Sequence, residues 1–169
     1  GIAEGLAILG NDTQACENCS LGKADATTVL VVREVLADAD WTLWGSLNGL
    51  LPTLAEAAPG EFLDVVGRAL RLHPCPFDEL FAQEGGGFTG GNYLTGLLWA
   101  LEGLAWDEQY LVRACDALAE LASHDPGGKW ANRPSNSLAT ILLPWLPQTL
   151  APVEKRKVAV QTILNDWPE

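Results

Sequence analysis

The chain has 169 residues, is 48% apolar and 19% charged, and carries 22 acidic against 10 basic residues for a net charge of −12. These totals describe one folded domain with a sizeable core and exclude a disordered segment. The acidic balance argues against nucleic acid or membrane as direct partners, since phosphate binding is driven by a basic surface. No apolar run approaches the roughly 18–20 uncharged residues of a membrane span, and no signal-peptide pattern opens the chain, so a soluble, cytoplasmic protein is expected.

The chain contains no methionine, not even at position 1, and its last helical pattern stops at Pro168-Glu169. Both features lead us to expect a segment of a longer polypeptide, because a stack of helices cut at both ends would otherwise need polar capping repeats.

In chain order, Ile2 to Leu9 carries a short helical pattern closed by Gly10-Asn11-Asp12. Residues 11–27 are polar and small, with no clear period, and include Cys16-x-x-Cys19. The β-branched run Val29-Leu30-Val31-Val32 is read as joining a helix that continues through Val35-Leu36, although such short runs are ambiguous with strand. Asp38-Ala39-Asp40 offers an N-cap before Trp41. The set Trp41, Trp44, Leu47, Leu51, Leu54 and Ala58 then advances in threes and fours, with Pro52 either kinking the helix or starting a new one. Pro59-Gly60-Glu61 begins a partner helix with Phe62, Leu63, Val66, Ala69 and Leu70 on one face. His73-Pro74-Cys75-Pro76 ends it, and a short helix follows from Phe77 to Ala82.

A glycine-rich stretch spans residues 85–91, and its sequence lacks the Gly-Lys-Ser/Thr ending of a P-loop and any preceding strand. Asn92 is the expected N-cap of the next helix. A second hairpin runs from Leu94 to Leu104 and returns from Tyr110 to Ala122. After the break at Asp125-Pro126-Gly127-Gly128 comes a loop from Lys129 to Ser137. The third hairpin runs from Leu138 to Leu150 and from Val153 to Leu164, its first helix shortened or kinked by Pro144 and Pro147. Lys155-Arg156-Lys157 points in three directions on the last helix and reads as a solvated face.

Leu50-Leu51-x-x-Leu54 recurs as Leu97-Leu98-x-x-Leu101 and as Leu142-Leu143-x-x-Leu146, at offsets of 47 and 45 residues. HEAT and armadillo repeats have periods of roughly 40–47 residues. The expected fold is therefore all-α, a right-handed α-solenoid-like stack of about three antiparallel hairpins in a single domain. Residues 1–40 form an irregular entry, followed by hairpins at 41–83, 92–126 and 136–167.

Candidate chemistry is sparse. Cys16 and Cys19 have a spacing used by zinc sites, and His73 and Cys75 could complete a Cys₃His set. The competing expectation, which weighs more, is of small buried thiols in a reducing compartment, with Cys115 the clear example. His73 and His124 both lie at hairpin ends, where a cation suits the helix dipole. Trp130, Asn132, Arg133 and Asn136 combine an aromatic, an arginine and two amides, types that recur at binding sites. The favoured structural expectation has Trp130 sealing the seam between hairpins while Asn136 or Ser135 caps the next helix. No nucleophile, base and stabiliser assemble, so no enzyme and no cofactor are expected.

The strings LLPTLAEAAPGEFLDVV, TGLLWALEGLAWDEQYLVRA and DPGGKWANRPSNSLATILLPWLPQT resemble the helical-repeat (HEAT/armadillo-like) region of large, mostly uncharacterised bacterial proteins. The likeness covers about residues 41–150, and its most specific piece is the loop at 127–138. It implies a protein-interaction or sensing scaffold whose partner is another protein or another domain of the same polypeptide. It transfers no catalytic residue.

Overall fold

Ten helices and no strand make up the described part of the computed structural model, which comprises residues 1–11, 23–83, 92–128 and 130–167. Cys16, Cys19, the glycine-rich stretch and Lys129 lie outside those residues. The helices are α1 (Ile2–Asn11), α2 (Lys23–Leu36), α3 (Trp41–Ser46), α4 (Leu51–Ala57) and α5 (Pro59–Leu70), then α6 (Pro76–Ala82), α7 (Thr95–Leu104), α8 (Leu111–His124), α9 (Pro134–Leu142) and α10 (Val153–Asp166). All-α is borne out.

Proline sets several of the helix starts. Pro52, Pro59, Pro76 and Pro134 each occupy the first turn of a helix, where the missing N–H would have no partner in any case. Pro52 thus starts α4 rather than kinking α3. Asp40 caps α3 as expected, its carboxylate accepting the Leu43 N–H at 2.8 Å.

Packing runs along two series. α1, α4, α7 and α9 contact one another in turn, as do α2, α5, α8 and α10, and the cross-pairs α1–α2, α4–α5 and α7–α8 join the series. The core lies between them. Helix α5 contributes Phe62, Leu63, Val66 and Leu70, and α8 contributes Leu111, Cys115, Leu118 and Leu121, all buried. Each such large apolar side chain stabilises the fold by about 1.5–3 kcal/mol relative to leaving it in water. Helix α3 packs on α6 through an edge-to-face contact between Trp44 and Phe77, ring centres 5.1 Å apart.

Two glycines allow backbone-to-backbone contact within the first series. A methyl group on Gly10 would overlap the Ala57 carbonyl, and one on Gly96 would overlap the Asn48 carbonyl. The side chain of Asn48 also accepts a hydrogen bond from the Gly96 N–H.

Three expectations need correcting. The entry is not irregular throughout, since residues 23–27 form the start of α2. That helix buries only Thr28, Val32 and Leu36 at four-residue intervals, too sparse a stripe to give a legible period. Helix α9 begins at Pro134, so the loop ends earlier than Ser137. It also stops at Leu142 rather than Leu150. Pro144 and Pro147 deny the next turns their N–H donors, and the segment beyond is tied down irregularly. Thr149 Oγ1 donates to the Ala105 carbonyl at 2.6 Å and the Leu150 N–H donates to the Trp106 carbonyl at 3.1 Å.

Candidate functional site

A groove of about 360 Å³ lies between the α4–α5 corner and the α7–α8 hairpin. Pro52, Ala55 and Pro59 form one side, and Trp99, Gly103 and Tyr110 line the other. Helical period explains the dent. Trp99 and Gly103 are one turn apart on the same face of α7, so a large wall stands beside a position with no side chain. Trp99 is 59% exposed, unusually open for tryptophan. Among the described residues, Glu56 and Asp107 are the charged side chains that line this groove, and no lysine or arginine does.

The loop after α8 is arranged opposite to expectation. Trp130 does not seal a seam, because it is 44% exposed, whereas Arg133 is 6% exposed. The Arg133 guanidinium donates to Asp125 Oδ1 at 2.6 Å, and the same oxygen accepts the Gly127 N–H at 2.8 Å. An arginine brought inside needs such a partner, and this one turns the chain from α8 into α9. Neither Ser135 nor Asn136 caps α9, since Arg133 is its N-cap and makes no side-chain cap bond. Asn136 Nδ2 instead donates to the Ala131 carbonyl at 2.6 Å. The Asn132 carbonyl accepts from Asn92 Nδ2 at 3.2 Å, joining this loop to the entry of α7. The N-cap of α7 is Leu94 rather than the expected Asn92, and Asn92 Oδ1 accepts the Leu94 N–H just before the helix.

A second constellation joins α6 to α8. Cys75, the N-cap of α6, is buried. Asp78 follows in the first turn of α6, and its carboxylate contacts His124 Nδ1 at 2.7 Å at the end of α8. One potential ligand atom from each of the three residues lies within 4.8 Å of the others. His73 is not part of this group. It is exposed, with Nδ1 3.2 Å from the Arg71 carbonyl. Burial pushes the Cys75 thiol up, and the charges of Asp78 and Glu120 add to that, against backbone N–H groups at Phe77 and Asp78. A thiol nucleophile needs the opposite shift. Cys115, the expected core thiol, is fully buried and pushed up to about 12 by burial.

Between α5 and α8 runs a polar groove of about 400 Å³ lined by Arg68, Arg71, Arg113, Asp64, Asp116 and Glu120. Its charges are largely matched. Arg113 reaches Asp64 at 2.5 Å, while Arg33 and Arg68 meet at Glu61, at 2.7 and 3.2 Å. Burial raises Asp116 and Glu120 above the ordinary carboxylate range, each helped by a neighbouring acid, Asp166 for the first and Asp116 for the second.

No helix among the described residues is long and apolar enough to cross a membrane. Compared with known proteins, the chain matches no family model, no curated protein and no solved structure. The likeness to bacterial helical-repeat proteins therefore stands only as an all-helical domain of ten helices among the described residues.

Proposed function

We propose that this chain is a right-handed α-solenoid segment of a larger bacterial protein that works as a non-catalytic, cytoplasmic interaction scaffold. The two series of serial helix contacts support the stacked arrangement, and stacked hairpins commonly work through extended surfaces. The single observation that carries the reading is the groove beside Trp99, an apolar trough with an exposed tryptophan wall and carboxylates as its ionisable lining. Its occupant is a protein segment that inserts one aliphatic or aromatic side chain flanked by lysine or arginine. Aromatic walls supply the anchor contact, and charge complementarity with a chain of net charge −12 speeds encounter and sets specificity.

Selection of a random linear peptide library on the purified chain tests this reading. Enrichment of an apolar residue beside basic ones, lost with Trp99→Ala, is expected. Enrichment of acidic peptides, or binding indifferent to Trp99→Ala, contradicts it.

A further inference from the structure

We propose that Cys75, Asp78 and His124 bind one zinc ion and so clip α6 to α8. This goes beyond the scaffold reading and stands independently of it. The argument is geometric. A thiol, a carboxylate and an imidazole converge from two helices, Asp78 and His124 being 46 residues apart in sequence, with the three ligand atoms within 4.8 Å of one another. Tetrahedral zinc holds sulfur at about 2.3 Å and nitrogen or oxygen at about 2.0–2.2 Å, so its ligand atoms stand within such a span.

The donor set selects the metal class. Sulfur and nitrogen favour a borderline-soft cation such as zinc over magnesium or calcium, which take all-oxygen shells. Position supports it too. Cys75 is the N-cap of α6, Asp78 lies in the first turn of α6, and His124 is the last residue of α8, so each ligand sits on a defined element end. Glu120 stands one turn before His124 on α8 but is not one of the converging ligand residues. A water takes the fourth position. The reaction is a simple exchange. The Cys75 S–H bond breaks, its proton leaves to solvent, and the sulfur lone pair forms the bond to zinc, with no oxidant or reductant involved.

The test is zinc titration of the metal-stripped chain, followed by calorimetry and by the sulfur-to-metal charge-transfer band after cobalt(II) substitution. One ion per chain with a thiolate band is expected. The band should be lost in Cys75→Ser, and affinity should fall by at least roughly 10–100-fold in Asp78→Asn and His124→Gln, the loss that even an outer-shell partner causes. The double variant Cys16→Ser/Cys19→Ser should bind as the parent does. Asp78 is half exposed, so its variant keeps the proposal testable if Cys75→Ser fails to fold. Binding well below one ion per chain would overturn the proposal. So would affinity unchanged in Asp78→Asn and His124→Gln, or binding abolished by the Cys16/Cys19 substitutions.

Discussion

The side-chain oxygen of Asn48 accepts a 2.6 Å hydrogen bond from the backbone N–H of Gly96, in the first turn of α7. That N–H has no partner within its own helix, so a residue from the segment before α4 caps α7 across the interface. The absence of a side chain on Gly96 is what admits the Asn48 backbone to this distance.

Two glycines of α7 should consequently respond in opposite directions. Gly96→Ala forces a methyl group into the Asn48 carbonyl and should destabilise by about 1–3 kcal/mol, as overpacking does. Gly103→Ala meets nothing within 4 Å and should stabilise by about 0.5–1 kcal/mol through helix propensity. Urea unfolding of both variants checks the pair, and equal effects of one sign would contradict the packing described.

The loop after α8 makes an equally sharp contrast. Arg133→Ala strands the Asp125 carboxylate, whose own side chain is 10% exposed, and should cost about 3–5 kcal/mol. Trp130→Ala, at a half-exposed position, should change stability by about 1 kcal/mol or less. Thermal melts of the two variants decide the matter, because a Trp130 that sealed the seam would reverse their order.

Glu61 ties α2 to α5 and should give the protein an acid-sensitive step. Its bond to Arg33, then that to Arg68, holds its carboxyl below the ordinary glutamate value of 4.5 despite burial. A depressed folded-state pKa contributes stability that is present above the unfolded value and is lost as pH falls through the folded one. Glu61→Gln should therefore be less stable than the parent at about pH 7 and converge on it as pH falls below 4.5 and through the lowered folded-state value. Asp116 and Glu120 act with the opposite sign. Their raised values favour the folded state at low pH and weaken it as pH rises, so Asp116→Asn or Glu120→Gln should stabilise at neutral pH. Denaturant midpoints across this range measure both effects.

Much of the fold is legible in the residues themselves. Helices α5 and α8 announce themselves through Phe62, Val66 and Leu70 and through Leu111, Cys115 and Leu118, where a wide apolar stripe repeats with the helical period. Pro59 and Asp40 mark starts correctly. Pro134 carries the same signal as Pro59, yet the polar residues after it obscured the start of α9. Helix α2 is legible only from Val29 to Leu36, because its buried face consists of one residue per turn. Trp130 lies half open and Arg133 inside because residue type predicts burial only on average, and the Asp125 carboxylate pairs with the buried arginine.

The candidate sites are less legible for a different reason. Cys75 and His124 are both visible in the sequence, but only the packing of α6 on α8 brings them together, while His73, the nearer histidine in sequence, points elsewhere. The groove likewise arises from Trp99 and Gly103 on α7 facing Pro52 and Pro59 across an interface, and no local pattern encodes that pairing.

The central claim, that the Trp99 groove receives a side chain from a basic protein segment, is tested most directly by filling it. A Cβ at Gly103 meets nothing within 4 Å, and Gly103→Leu replaces a helical glycine, so the fold should be retained or stabilised. The deciding measurement is the dissociation constant of a selected basic–apolar peptide for this variant against the parent chain. The account predicts binding weakened by roughly tenfold or more, as loss of an anchor contact costs at least 1–2 kcal/mol, with an unchanged or higher Tm. Equal affinity in the two proteins would contradict it.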